Sequence, residues 1–338
     1  MSTLASFCAL QLTFELRATE PIYLHAFNGS ALRGMLYRAA MRLANEPQHR
    51  DAPAFSNEPM LQRLLHTLDE HNLRGQDIPR PYVIDPPPPL PEDQRLLPPN
   101  GLLTFGLTLF GELIEAFPMI VLSLRRAESM GLGRFIAREA GEAQPAQRGR
   151  FALHRVLAHH PYRRMTQHLF AEGDRIVHTP ELFITEADVR QQAERDTRAV
   201  HQRLTLRFHT PTSLKAQGEW VRQPQFNVIV HRLLERLEQL SRAYAQPLAC
   251  LPRDRDAKLA LLHCADAVRL VEDETHWVPL RGYSERTRAT TNLGGFIGRA
   301  VFEADSFVPF LELLRWAEIV HLGQHAVKGN GLVRIELV

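Results

Sequence analysis

The sequence predicts an α+β chain built from two tandem ferredoxin-like (RRM-like) domains of βαββαβ order, and three observations predict it. A length of 338 residues fits about two domains. A unit of strand, helix with a proline, glycine-rich turn and strand occurs at 102–156 and again at 295–338. Each half also opens with a strand followed by a helix, which completes the βαββαβ order twice. The expected division is an N-terminal domain of 1–200, with a proline-rich connection and a basic insertion, and a C-terminal domain of 201–338 that ends in the glycine-rich loop. A four-stranded sheet of this type can lay RNA across its open face.

Each element has a local reason. Over 9–17, Leu10, Leu12, Phe14 and Leu16 alternate with Gln11, Thr13, Glu15 and Arg17, the pattern of a half-buried strand. After Pro21, helical spacing runs over 28–43, with Leu32, Leu36, Ala39 and Leu43 on one stripe and Arg33, Tyr37, Arg38 and Arg42 on the opposite arc. The stretch 79–99 reads as an irregular surface connection, because Pro86 to Pro89 can join neither a helix nor a central strand. A strand over 102–110, a helix over 113–128, the turn Gly131-Leu132-Gly133 and a strand near 151–156 follow.

The second half restarts with a strand over 203–209, its Leu204, Leu206 and Phe208 facing in. A long amphipathic helix over 225–244 comes next, then a mixed region to residue 288 and a strand over 295–302. The helix beyond it has Ser306 as a candidate N-cap and Pro309 in its first turn, and it ends near His321. A glycine-rich turn then leads into a closing strand over 332–338.

Composition narrows the function classes. With 44% hydrophobic and 23% charged residues the chain is neither disordered nor collagen-like. No apolar run approaches the ~20 residues of a membrane helix, and no basic leader precedes an apolar core. Three widely spaced cysteines, Cys8, Cys250 and Cys264, make neither a disulfide framework nor a zinc site. A soluble cytoplasmic protein without metal or cofactor is the expectation. The net charge of +2 is small, but its distribution is uneven. Between Glu142 and Glu172 there is no carboxylate, yet Arg148, Arg150, Arg155, Arg163 and Arg164 fall there. The same holds between Asp196 and Glu219, with Arg198, Arg203, Arg207 and Lys215, and between Glu318 and Glu336, with His321, His325, Lys328 and Arg334. Segregated positive charge suits a polyanion, though solvated faces explain any single window as well.

The terminal turn, Gly323-Gln324-His325-Ala326-Val327-Lys328-Gly329-Asn330-Gly331, brings glycines and a cation together. Such glycines let backbone amides approach a phosphate. A nucleotide-binding P-loop or Rossmann turn runs strand, loop, helix, whereas here the order is helix, loop, strand, so that reading fails. A helix C-cap is the plain alternative.

Four stretches carry a resemblance to a known family. They are Gly29-Ser30-Ala31-Leu32-Arg33-Gly34, the span from Leu107 to Gly133, Arg281-Gly282-Tyr283-Ser284-Glu285-Arg286 with Gly294-Gly295-Phe296-Ile297-Gly298 after it, and the loop from Gly323 to Gly331. In this order they resemble the CRISPR precursor-RNA processing endoribonucleases of the RAMP superfamily. Two departures stand out: His321 occupies the place of the loop's first glycine, and Asn330 replaces an apolar residue between its last two. The resemblance implies binding of CRISPR repeat RNA (pre-crRNA and the crRNA product) and one metal-independent cut per repeat. The 2′-OH would attack its own phosphate and leave 2′,3′-cyclic phosphate and 5′-OH ends. It also implies possible partnership with other CRISPR effector-complex subunits, and the alternative of a non-catalytic RAMP subunit that only holds RNA.

That chemistry needs a base, an acid and cations at the phosphate, and histidine suits the first two tasks. His25, with Tyr23 two residues before it, lies where the family often keeps its catalytic His and Tyr, facing the glycine-rich loop across the domain junction. His321 falls at a helix C-terminus, which favours an imidazolium acid and equally a capping role. His325 lies within the loop, and Lys328 would neutralise phosphate charge. For RNA binding the candidates are Arg33, Tyr37, Arg38 and Arg42 on the first helix, and Arg163 and Arg164 on a hairpin that would grip a stem. Arg281, Tyr283 and Arg286 of the family segment and Gly323, Gly329 and Gly331 of the loop complete the set. His159-His160 has no evident metal-ligand companions.

Overall fold

The computed structural model describes residues 6–45, 78–136, 147–200, 202–284 and 289–337. Two compact units emerge: one is Ala9–Phe183, and the other joins the N-terminal residues through Cys8 to Ile184–Val338. No helix among the described residues is long and apolar enough to cross a membrane.

The first unit is built on β1 (Cys8–Ala18), whose alternating residues bury Leu10, Leu12, Phe14 and Leu16. In chain order follow β2 (Ile22–Tyr23), α1 (Gly29–Asn45), β3 (Tyr82–Asp85), β4 (Leu96–Leu97), β5 (Leu102–Phe110) and α2 (Phe117–Ala127). The unit ends with β6 (Leu132–Ile136), β7 (Gln147–Gly149), β8 (Phe151–His160) and β9 (Met165–Ala171). Its main sheet has the order β3-β5-β1-β8-β9, and every neighbouring pair is antiparallel. Without the added β9 this is the ferredoxin-like arrangement. Phe14 lies opposite Phe105 in the β1–β5 register, and their rings stack with centroids 5.3 Å apart.

Two local expectations change here. The stretch 79–99 is not wholly irregular: Tyr82–Asp85 forms the edge strand β3 on β5. Its place at the sheet edge allows the prolines to begin directly after it, where only one neighbour needs hydrogen bonds. The helix expected from 113 starts at Phe117, with Pro118 in its first turn, and residues 111–116 form a tighter 3-10 turn.

The second unit contains β10 (Ile184–Thr185), α3 (Glu186–Asp196), β11 (Arg203–Thr212), β12 (Lys215–Ala216), β13 (Glu219–Trp220) and α4 (Phe226–Tyr244). After these come α5 (Arg255–Asp266), β14 (Arg269–Asp273), β15 (His276–Val278), β16 (Arg281–Ser284), β17 (Ala289–Asn292), β18 (Gly295–Glu303), α6 (Leu311–Val320) and β19 (Val333–Leu337). The sheet order β14-β18-β11-β19 repeats that of the first unit, again antiparallel throughout. The internal repeat seen in the sequence is therefore a repeat of topology. The N-cap expected at Ser306 is corrected: a 3-10 turn, Val308–Phe310, precedes α6, the two N-caps are Phe307 and Phe310 without side-chain cap bonds, and Ser306 Oγ only accepts from the Val308 amide at 3.3 Å. Phe226 of α4 meets Phe302, Phe307 and Phe310 with centroids 5.1–5.7 Å apart, an aromatic core between helix and sheet.

The open faces of both sheets are laced with ion pairs. Arg155 Nε donates to Glu15 at 3.0 Å and Arg17 Nε to Glu172 at 3.1 Å in the first unit. In the second, Arg207 Nε donates to Glu336 at 2.6 Å, Arg203 Nε to Glu303 at 3.1 Å and Arg299 to Glu272 at 2.9 Å. Strand pairing thus sets the arginines of carboxylate-free windows beside carboxylates distant in sequence. Such exposed pairs contribute little stability, about 0–1 kcal/mol each. They do cancel the charge that a polyanion would need on these faces.

Truncating Phe226 to alanine removes the hub of the aromatic core, and a loss of about 3–5 kcal/mol is expected. Arg207→Ala, by contrast, is expected to cost less than about 1 kcal/mol. Urea midpoints of the two variants measure the difference.

Candidate functional site

In the first unit the functional corner follows β2, which pairs with β4 through Ile22↔Leu97 and Tyr23↔Leu96. The hairpin of β6 and β7 lies directly on this segment. A Cβ on Gly133 would stand 2.4 Å from the Tyr23 carbonyl oxygen, and one on Gly149 would stand 2.1 Å from that of Pro21. Gly133 also has φ +87°, so only glycine fits there. Beyond Tyr23 the chain is held by Asn28, which is 1% exposed. Its Oδ1 accepts from the His25 amide at 3.0 Å, and its Nδ2 donates to the His25 carbonyl at 2.9 Å. His25 is thereby fixed at the mouth of α1.

The His25 imidazole is half-buried, and burial lowers its pKa first. The positive charges of Arg134, Arg148 and Arg95 lower it further. The ring is therefore neutral at pH 7, suited to accept a proton, with guanidinium charge around it. Tyr23 is 42% exposed. Sequence reasoning missed Asn28, Arg95 and Arg134 in this corner. The available signals were an Asn at a helix start and an Arg directly after Gly131-Leu132-Gly133.

The binding candidates of this unit are dispersed. On α1, Arg42 is exposed, Arg33 and Tyr37 are half-buried, and the Arg38 guanidinium covers Gly34, where an added Cβ would meet it at 3.2 Å. Arg163 and Arg164 occupy the turn of the β8–β9 hairpin, Arg164 at φ +53°. The Arg163 amide donates to Nδ1 of buried His160 at 3.2 Å, and the His159 Nδ1 lies 3.1 Å from Thr166 Oγ1. The histidine pair therefore shapes the hairpin. Among the described residues no three His, Cys, Asp or Glu side chains gather as metal ligands.

In the second unit the glycine-rich loop folds onto 211–214. Gly323 and Gly331 have φ of +72° and +79°, and Cβ atoms there would stand 2.3 Å from the Ser213 oxygen and 1.9 Å from the Leu322 oxygen. Gly329, at φ +85°, closes the short turn Ala326–Lys328. The loop's amides are largely spent on the protein itself. Leu322 donates to Gly331, Gln324 to Ser213, Lys328 to His325, Gly329 to Ala326 and Gly331 to Pro211. At Gly329 and Gly331 the amides bond within the protein, and Gly323 and Gly331 allow close packing.

His321 is 1% exposed and caps α6 at φ 62°, ψ 162°, a backbone region that strains any residue but glycine. Its Nδ1 lies 3.1 Å from the Asn330 carbonyl oxygen, while Asn330 Nδ2 donates to Leu293 O at 2.8 Å. Both departures from the family's loop pattern are thus internal braces, with His321 buried. His325 is half-buried, and burial with the nearby Lys328 charge pushes its pKa down to about 4, against a hydrogen bond to the Asn292 backbone. Arg281, exposed on β16, lies opposite that same Asn292 in the β16–β17 register, and Tyr283 lies opposite Thr290. Arg286 lies outside the described residues.

Comparison with known proteins gives the following. The N-terminal domain family AF_1859_N matches residues 7–182, and the family of CRISPR-associated endoribonuclease Cas6 matches residues 206–333. No curated protein matches the sequence. Among solved structures, Thermus thermophilus Cas6 is similar at 15% identity and TM-score 0.56, covering 98% of this chain and 100% of its own. A Cas6 product complex is similar at 16% identity and TM-score 0.55, covering 97% and 99%. A partial Cas6-RT-Cas1–Cas2 complex is similar at 11% identity and TM-score 0.57, over 99% of this chain and 47% of that one. At these identities the structural likeness is one of fold.

The loop geometry predicts two outcomes. Gly331→Ala, with both a left-handed φ and a clash against Leu322, should lower the unfolding free energy from urea titration by more than about 2 kcal/mol. Because His325 titrates lower when folded than unfolded, stability is complete above about pH 6.5 and falls as pH drops through about 4. His325→Gln should flatten that part of a stability–pH curve.

Proposed function

We infer that the chain, whose residues 206–333 match the family of CRISPR-associated endoribonuclease Cas6, is an endoribonuclease of that family and cuts CRISPR repeat RNA once per repeat by a metal-independent transesterification. In this reading the ribose 2′-OH gives its proton to the neutral imidazole of His25 while its oxygen attacks the adjacent phosphorus. The bond from phosphorus to O5′ breaks, and O5′ takes up a proton. The ends are then a 2′,3′-cyclic phosphate and a 5′-OH. Tyr23, whose phenol is exposed two residues away, is our assignment for the proton donor.

One observation carries the reading. Asn28 pins the His25 backbone, and burial together with the charges of Arg134, Arg148 and Arg95 keeps the imidazole unprotonated, so the same environment supplies positive charge for the crowded phosphate. His325 and Lys328 of the second unit are assigned to the phosphate chain, with His321 as a brace for their loop. Arg33, Arg38, Arg42, Arg163, Arg164 and Arg281 are assigned to RNA phosphates, with Tyr37 beside them on α1. We count precursor and product RNA, and other CRISPR proteins, as its partners in the cytoplasm. Two similar solved structures, a Cas6 product complex and a partial Cas6-RT-Cas1–Cas2 complex, support both kinds.

The test is cleavage of labelled repeat RNA in EDTA. The unmodified protein should cut, and His25→Ala should lose about 10²–10⁴ in rate while still binding. Failure of the unmodified protein to cut in EDTA, or undiminished cutting by His25→Ala, would overturn the mechanism. The pH profile gives a second check. Because the His25 pKa is depressed, the rate should hold as pH falls below 6.5, and Arg134→Gln should move the acid limb upward toward that value.

A further inference from the structure

Beside His25, the β6–β7 hairpin exposes an aromatic ring that the cleavage chemistry does not use. Phe135 is 60% exposed, the greatest exposure of any aromatic side chain among the described residues. The Arg148 guanidinium lies across its ring, with the carbon Cζ 4.2 Å from the centroid. An exposed phenylalanine has no reason to be there for folding: its burial elsewhere would contribute about 1.5–3 kcal/mol. A guanidinium stacked on one side of it stiffens the ring and adds a cationic plane.

Two backbone contacts and one charge effect tie this pair to the His25 corner. Gly133, two residues before Phe135, packs on the Tyr23 backbone, and Gly149, next to Arg148, packs on that of Pro21. Arg148 is also one of the charges that depress the His25 pKa. Two exposed aromatic residues, Tyr23 and Phe135, and the cation stacked on Phe135 therefore lie on adjoining segments next to the proposed base. Leu96 widens the apolar area: it lies opposite Tyr23 and is 48% exposed. Flat apolar rings and fixed positive charge are a chemistry that fits a nucleobase attached to phosphate better than a protein side chain.

We infer that Phe135, held by Arg148, is a stacking platform for one unpaired base of the RNA next to the cut, and so helps to choose which phosphate reaches His25. The inference deepens the endoribonuclease reading and rests on it. A duplex end or an unpaired nucleotide can expose the face that stacks, whereas bases inside a stem are already stacked on each other.

The probe is repeat RNA made uncleavable by a 2′-deoxy nucleotide at the cut, with 2-aminopurine placed at successive positions near it. On the unmodified protein, fluorescence should be quenched at one or two adjacent positions. Phe135→Ala should abolish that quenching and weaken binding by roughly 5- to 150-fold, the worth of one base–aromatic stack, without changing the salt dependence. Phe135→Trp should restore both. Arg148→Gln should weaken binding and also reduce the salt slope by about one. If Phe135→Ala binds and quenches as the unmodified protein does, the platform is wrong while the nuclease reading stands. If the unmodified protein fails to bind the repeat at all, both fall.

Discussion

The contact on which both functional corners depend is backbone laid on backbone. In the first unit, Gly133 and Gly149 bring the β6–β7 hairpin against the carbonyls of Tyr23 and Pro21, at distances a Cβ would not permit. In the second, Gly323 and Gly331 bring the terminal loop against Ser213 and Leu322 in the same manner. A side chain at any of these four positions would push apart the segments that carry Tyr23 and His25, or His325 and Lys328. Glycine here serves close approach, and three of the four also need a left-handed backbone.

Electrostatics follow from how the sheets pair. The sequence separates its arginines from its carboxylates, yet antiparallel strands reunite many of them, as Arg155 with Glu15 and Arg207 with Glu336 show. Arg207 holds the Glu336 carboxyl below the usual carboxylate range. Further arginines lie off the sheets, at the His25 corner, on α1 and at the β8–β9 turn. An RRM-like sheet commonly presents its open face to RNA, whereas here that face carries ion pairs.

The loop histidines divide by environment rather than by sequence position. His321 and His325 are four residues apart, and both adopt positive φ. One is enclosed and tied to the Asn330 carbonyl, where its strained backbone is maintained by packing. The other is half-buried beside Lys328, and a proton on it would meet both desolvation and like charge. His25 shares that second condition, with arginines in place of lysine. Neutral imidazoles in cationic surroundings are what general-base chemistry on a polyanion requires.

Periodicity in the sequence was sufficient to establish two βαββαβ units, because a strand's alternation and a helix's apolar stripe are local consequences of burial on one side. Leu10 to Leu16, the stripe from Leu32, and the repeat of strand, helix, turn and strand all appear in the structure within a few residues of where the pattern puts them. The edge strand Tyr82–Asp85 escaped notice because four residues beside a proline run are too short to show a period. The corner around His25 was legible only in part: Tyr23 and His25 were visible through the family resemblance, but Arg95, Arg134 and Arg148 lie 70 to 123 residues away and no spacing links them. Which arginines are cancelled, which histidine is enclosed, and which aromatic ring is left facing solvent depend on partners far along the chain. Folding alone brings such partners together, so only the tertiary structure could decide them.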